Sequence, residues 1–271
     1  MSRRKVGLAL SSGAARGLAH IGVLDVLERQ GIPIDMIAGT SIGAIIGASY
    51  AARKDIGEIT RVVTGLSLRK MMSLADFTIP TSGFIKGKKV NGWLKSIIGE
   101  IDFADLKIPF TCLATDISSG KEVVIKQGPV VAAVRASSSM PIIFTPAKWQ
   151  GRYLFDGALV EPIPVRALRE MGADVIIAVN VVPYIGNRKQ KTNAEDTGDR
   201  KEPNVFSVLI RMMYIMGYQA AQAGLREADI VISPEVGHIL PGNFNRAREC
   251  ILQGKRAAQR AIPEIKRVLE A

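Results

Sequence analysis

Three short stretches of this 271-residue chain carry residue types that can do acyl-transfer chemistry. The first is Gly39-Thr40-Ser41-Ile42-Gly43, a Gly-x-Ser-x-Gly pentapeptide between an apolar run at 34–38 and a small-residue run at 44–52 that has no proline. A serine on such a strand-to-helix turn is a nucleophile elbow. The flanking Gly39 and Gly43 let the backbone turn sharply and leave room for a carbonyl above the Ser41 hydroxyl. The positive end of the following helix favours an alkoxide there. A plainer reading is a tight turn in which Ser41 only caps the helix.

The second stretch is Ser11-Ser12-Gly13-Ala14-Ala15-Arg16-Gly17, directly behind an apolar run at 6–10. Small residues let successive backbone N–H groups point into a cleft at a helix N-terminus, a geometry that suits an oxyanion. Arg16 either strengthens the same positive field or braces the loop. A dinucleotide-binding loop also follows a first strand, but only Gly13 and Gly17 are glycine here. No ribose-binding acid closes the next strand either, because Asp35 precedes its apolar core. The third stretch is Phe155-Asp156-Gly157-Ala158. A carboxylate on a turn opened by glycine can come within hydrogen-bond reach of a serine and take its proton, although Asp-Gly turns are also common as plain structure.

The chain has two histidines, so a Ser-His-acid triad must use His20 or His238. The order Ser41, Asp156, His238 matches that of an α/β-hydrolase. In that fold, however, the elbow follows several strands, whereas here one strand–helix unit precedes Ser41. His20 lies in the first helix, where packing is the expected role, and His238 lies in a loop expected at the surface. A Ser41–Asp156 dyad without histidine is the favoured arrangement.

Strand-like and helix-like segments alternate along the chain, which predicts a mostly parallel sheet covered by helices. Strands are expected at 6–10, 34–38, 108–116, 121–125, 152–155, 174–179 and 229–232. Helices are expected at 17–30, from the elbow to about 53, at 55–65, 88–98, 129–138, 165–171 and 204–224, and in a tail from 244. The run at 174–179 is almost wholly apolar, as in a strand covered on both faces. Residues 66–87, with Pro80, Gly83 and Gly87, read as a lid at the site's mouth. Residues 186–203 hold almost no apolar side chain and read as a mobile loop. No linker divides the chain, so 1–271 is expected to be a single domain.

In this order and spacing the three motifs resemble the patatin-like phospholipase family. Its pattern is a first strand, a Gly-Gly-Gly-x-Arg-Gly loop, a Gly-x-Ser-x-Gly elbow and an Asp-Gly-Gly/Ala turn. The likeness runs over residues 5–182 and includes Arg135, Ala136, Ser137, Pro141 and Phe144. It is similar to compact bacterial members and to the catalytic domain of neuropathy target esterase. The resemblance implies a three-layer α/β/α patatin-like fold with a mostly parallel central sheet. It also implies Ser41 as nucleophile, Asp156 as base and an acyl-enzyme. The amides of Gly13 and Ala14, with Ser12 or Ala15 beside them, would form the oxyanion hole. Arg16 and Gly17 match the family's Arg-Gly, and Gly39, Gly43, Gly157 and Ala158 fill the other motif positions. The implied substrates are phospholipids, lysophospholipids or related carboxylic esters, with no cofactor. Ser12 and Ala14 depart from the pattern, and a positive φ at either would be strained by its Cβ. The alternative is a patatin-like regulatory or adaptor protein with little turnover.

Composition bounds the partners. A hydrophobic content of 47% supports a sizeable core, and no apolar run reaches the ~18–20 residues of a membrane span. The basic start is soon interrupted by Ser11, Ser12, Arg16 and His20, which argues against a secretory leader and for a cytoplasmic protein. Cys112 and Cys250 lack ligand-like spacing and read as free buried thiols. The acids and histidines suggest no metal site. A net charge of +11 points to an anionic partner. Lys86, Lys88, Lys89 and Lys95 form one basic cluster, and Arg246, Arg248, Lys255, Arg256 and Arg260 form another. Aromatic residues are only 6% of the chain and do not interleave with basic ones, so nucleic acid is not expected. A peripheral contact with an anionic inner membrane face is preferred, through Met71, Met72, Phe77 and Phe84. The same side chains would otherwise cap the pocket or form the seam of a homo-oligomer.

Overall fold

The computed structural model of the chain describes residues 3–52, 55–65, 87–182 and 205–270. The expected lid at 66–87, apart from Gly87, and the expected loop at 186–203 lie outside the described residues. So do Lys86, Met71, Met72, Phe77 and Phe84.

Strand β1 (Val6–Leu10) is buried along its whole length. Its alternate residues serve two faces: Val6, Leu8 and Leu10 enter one apolar cluster, and Ala9 enters another. A strand covered on both sides has no position for a polar residue, which is why it reads as one continuous apolar run. The chain continues through a 3-10 helix (Ala14–Leu18), α1 (Ala19–Arg29), β2 (Met36–Thr40), α2 (Ile42–Ala51), α3 (Ile56–Thr64) and α4 (Lys88–Ile98). Then come β3 (Phe110–Asp116), β4 (Glu122–Ile125), α5 (Val130–Ser137), β5 (Ala147–Trp149), β6 (Arg152–Asp156) and α6 (Val165–Glu170). The last elements are β7 (Val175–Val179), α7 (Val205–Glu227), β8 (Ile230–Ile232) and α8 (Ala247–Glu270).

Strands β3, β2, β1, β7 and β8 run parallel in that spatial order. The hydrophobic cluster on one face draws on α1, α2, α4, α5 and α8, and the one on the other face draws on α6 and α7. The sheet is therefore the middle of three layers, and the carboxyl ends of β1 and β2 open at its centre. A crevice at the carboxyl ends, where the strand order reverses, is where such sheets bind ligands.

The antiparallel strands β4 and β6 set the position of the site. Along one edge of β3, β4 pairs with Cys112 through Thr115. On the other edge β2 occupies Phe110 to Leu113, and β6 then takes over from Ala114 to Asp116. Thus β2 and β6 meet end to end on one strand, with Thr40 opposite Leu113 and Asp156 opposite Ala114. Strand β5, which sequence patterning does not reveal, pairs with β6 across Gln150-Gly151, both at positive φ. That is the primed two-residue hairpin turn, made here with Gln in place of the usual Asn or Asp, so its signature is weak.

Helices α1 and α8 cross at backbone contact distance. A Cβ on Gly22 would lie 2.0 Å from Ile251 O, and one on Gly254 would lie 2.0 Å from Ala19 O. Both neighbours are main chain and cannot yield. Gly254→Val is therefore expected to cost about 3 kcal/mol of stability, read as a lowered urea midpoint. An unchanged midpoint would contradict this close crossing.

Candidate active site

Thr40 ends β2 and Ile42 begins α2, so Ser41 alone makes the turn, at φ 57° and ψ −121°. A side-chain-bearing residue in such a region costs about 1–3 kcal/mol and persists only where neighbours enforce it. Here the Ser41 N–H donates to Ser137 Oγ (3.0 Å), and Thr40 Oγ1 donates to Glu161 O (2.9 Å). The Ser41 carbonyl accepts from the amides of Ala44 and Ile45 at 2.9 and 3.1 Å. A Cβ on Gly39 would lie 2.6 Å from Ala44 N, and one on Gly43 2.1 Å from Leu10 O. These glycines let the turn pack on itself and on β1. Ser41 makes no side-chain capping bond, and its Oγ donates to Asp156 Oδ2 at 2.5 Å.

Asp156 is held on every side. Its N–H donates to Ser139 O (3.0 Å), and its carbonyl accepts from Thr115 Oγ1 (2.9 Å). Its Oδ1 accepts from the Ala158 N–H at 2.9 Å. Gly157 passes so close to β3 that a Cβ there would lie 2.3 Å from Leu113 O. Only 3% of Asp156 is exposed. Burial pushes its carboxyl up to about 6, against the hydrogen bonds from Ser41 and the Ala158 amide, which favour the carboxylate. The result is a base that is ionised near neutral pH and is not strongly stabilised as an anion.

The loop after β1 lies across the cleft from this pair. Of its four candidate donor amides, Ser12 N–H is engaged with Pro162 O (2.8 Å) and Ala15 N–H with Pro241 O (3.1 Å). Gly13 N–H and Ala14 N–H have no acceptor among the described residues, and both residues line the cleft with Ser12, Ser41 and Asp156. The expectation of help from Ser12 or Ala15 therefore fails on hydrogen bonding, while Gly13 and Ala14 keep open donors.

Both open amides belong to peptides whose carbonyls are pinned from behind. Ser12 O accepts from Ser11 Oγ (3.0 Å), which itself accepts from the Val181 N–H (3.0 Å). Gly13 O accepts from Arg16 N–H at 3.2 Å. Such chains polarise the peptide and strengthen its outward N–H. A Cβ on Gly13 would lie 2.6 Å from Val181 Cγ2, and one on Gly17 2.2 Å from Ile42 Cγ2. Ala14 takes φ 51° despite its Cβ. Arg16 is buried with its guanidinium 6.0 Å from the centre of the Tyr214 ring, so it braces the loop against α7.

Neither histidine lines the cleft. His20 is fully buried behind the loop, 2.8 Å from Ser11 O, and burial drives its pKa down to about 4, so it stays neutral. His238 is exposed and bonds Glu249 at 2.7 Å. The cleft encloses about 520 Å³ of empty space, part of it open to solvent, with Met140, Leu159, Val182 and Met213 as apolar walls. Sequence reasoning named Ser11 and Ser137 within motifs without giving them these roles, and it did not single out Ser139 or the α7 residues Met213, Tyr214 and Gly217. The serine triplet 137–139 at a helix end was the one available signal. Cys112 and Cys250 are buried free thiols. Among the described residues no cluster of three His, Cys, Asp or Glu is placed to hold a metal ion, and no helix is long and apolar enough to cross a membrane.

The strain at Ser41 is open to measurement. Ser41→Gly removes the Cβ that makes φ 57° costly, whereas Ser41→Ala keeps it. Ser41→Gly is expected to be about 1–2 kcal/mol more stable than Ser41→Ala by denaturant titration. Equal midpoints would mean that the turn is not strained.

Comparisons with known proteins agree with this architecture. The family model described as patatin-like phospholipase matches residues 8–169. An uncharacterized NTE family protein of Mycobacterium bovis is 36% identical over 212 residues, covering 78% of this chain and 56% of that protein. Lysophospholipase NTE1 of Scheffersomyces stipitis is 30% identical over 251 residues, covering 85% of this chain and 16% of that protein. The chain thus spans about half the length of the first relative and a small part of the second. Among solved structures, VipD from Legionella pneumophila superposes with a TM-score of 0.67 at 13% identity, covering 97% of this chain and 67% of that one, a likeness of fold. The matched span takes in more than half of the 271 residues and contains the loop, the elbow and the aspartate turn, and it makes this chain a member of the patatin-like phospholipase family.

Proposed function

We propose that this protein is a serine acyl hydrolase that cleaves carboxylic ester bonds of phospholipids or lysophospholipids. The observation that carries the proposal is the 2.5 Å hydrogen bond from Ser41 Oγ to the buried Asp156 carboxylate, in a cleft with two open amides. The Asp156 carboxylate takes the Ser41 proton as Oγ attacks the acyl carbon, and the carbonyl's electron pair moves onto its oxygen. The Gly13 and Ala14 amides stabilise that oxyanion. As the tetrahedral intermediate collapses, the ester bond breaks and the leaving alcohol takes the proton from Asp156. Water, deprotonated by the same carboxylate, then attacks the acyl-enzyme and releases the fatty acid from Ser41. The apolar walls suit an acyl chain, and a matched relative is named as a lysophospholipase.

One observation favours the rival reading, an adaptor with little turnover: Ala14 stands at φ 51°, which costs a residue with Cβ about 1 kcal/mol. That strain removes neither donor, so it weighs on stability more than on chemistry.

A fluorophosphonate probe is expected to label the protein at Ser41. Ser41→Ala should abolish labelling, and Asp156→Asn should slow it at least about 100-fold. Labelling that persisted in Ser41→Ala would sink the proposal, and a wild type that hydrolysed no ester would leave the adaptor reading. The base must be ionised to accept a proton, so kcat/KM on a soluble ester should fall as pH drops through about 6, where Asp156 protonates. A fall centred near the ordinary carboxylate value of about 4 would place the base elsewhere.

A further inference from the structure

Exposed large apolar side chains among the described residues are concentrated on one helix. Six of the eleven, Val205, Val208, Leu209, Met212, Ile215 and Met216, lie on α7. At the helical repeat they fall within an arc of about 120° and extend over about 16 Å. Val205 is 75% exposed and Met216 55%. Next to this stripe on the same helix, Met213, Tyr214 and Gly217 line the cleft that holds Ser41 and Asp156.

Up to its last residue, Glu227, the charges on α7 have one sign. Arg211 and Arg226 are exposed, and the helix contains no Asp or Glu before Glu227. Four of the nine basic residues expected to meet an anionic surface are engaged in ion pairs elsewhere. Lys95 pairs with Glu100, Arg246 with Glu249, Lys255 with Asp25 and Arg260 with Glu235. An apolar stripe with cationic flanks and no acid fits the acyl–headgroup boundary of an anionic bilayer. Three of its six residues are unbranched or γ-branched and flexible (Met212, Met216 and Leu209), which suits a fluid surface better than a single rigid partner. A bilayer resting on the stripe would also bring an ester to the cleft rim without passing its acyl chain through water.

We infer that the exposed face of α7 seats this protein on an anionic lipid bilayer, with the helix along the interface and the cleft turned toward the lipid. The inference rests on the acyl-hydrolase reading for its purpose, but its measurement does not. The docking surface inferred here is α7; the 71–84 segment expected from sequence lies outside the described residues.

The test compares flotation with vesicles of phosphatidylcholine plus phosphatidylglycerol against vesicles of phosphatidylcholine alone. Alongside it, hydrolysis of vesicle lipid is compared with hydrolysis of the soluble ester p-nitrophenyl butyrate. Wild type should float with the anionic vesicles. The double variant Met212→Glu, Ile215→Glu should lose at least about tenfold in vesicle partition and in lipid hydrolysis, with kcat/KM on the soluble ester within about twofold of wild type. Because these positions are solvent-facing, the soluble-ester rate also reports that the variant is folded. The milder Arg211→Gln should weaken anionic partition about fivefold. Undiminished flotation of the double variant would overturn the inference. So would a loss of self-association in sedimentation with flotation unchanged, which would make the face a seam between two copies. If wild type floats but hydrolyses neither substrate, the catalytic reading fails and the docking surface stands.

Discussion

Everything at the site depends on the way β3 shares one of its edges. A strand edge normally carries one partner, but here β2 stops at Leu113 and β6 begins at Ala114. Neighbouring rungs of one ladder are separated by about 3.3 Å along the strand, so the residues ending β2 and β6 must meet. Ser41 follows the last residue of one strand, and Asp156 is the last residue of the other. Their separation is thus set by main-chain hydrogen bonding, and side-chain rotamers make only the final adjustment. Gly157 is what lets β6 leave the sheet without colliding with the Leu113 carbonyl.

This constraint also explains where strain is tolerated. Ser41 and Ala14 both hold positive φ, and each lies where the backbone leaves a buried parallel strand into a close-packed turn. Ser137, Glu161 and Leu10 hold the elbow from three directions. Ser11, Pro162, Val181 and Pro241 hold the loop. The supports come from segments far apart in sequence, so loosening any one of them leaves the others to keep the donors aimed. Peptides clamped on their inward side have outward N–H groups that need little reorganisation when charge develops, which is the condition for electrostatic stabilisation in a transition state.

The strands were legible in the sequence because burial on both faces leaves an apolar run with no competing pattern, and 6–10 and 174–179 show it plainly. The elbow and the aspartate turn were legible because glycine, serine and aspartate at those spacings have few uses in combination. The identity of the open amides was not legible. It is decided by the carbonyls of Pro162 and Pro241, which reach the loop from remote segments and occupy Ser12 and Ala15. The roles of the supporting serines were not legible for the same reason: Ser137 and Ser139 gain them only when α5 is docked beside both partners. Strand β5 escaped because a Gln-Gly turn does not announce a hairpin. The role of α7 at the cleft is carried by three residues of a long helix whose pattern favours no one neighbour.

The end-to-end meeting of β2 and β6 has a kinetic side. Ser41 and Asp156 are 115 residues apart in the chain, and closing so large a loop is entropically costly before its contacts form. The β1–α1–β2 unit can assemble from local contacts, but the groups that hold the elbow and accept from its serine, Ser137, Glu161 and Asp156, come from far later in the chain. The acceptor arrives only when the β5–β6 hairpin completes the edge of β3. Turnover in this fold would therefore begin with one late, long-range event and would report the arrival of β6 more sharply than any measure of helix content.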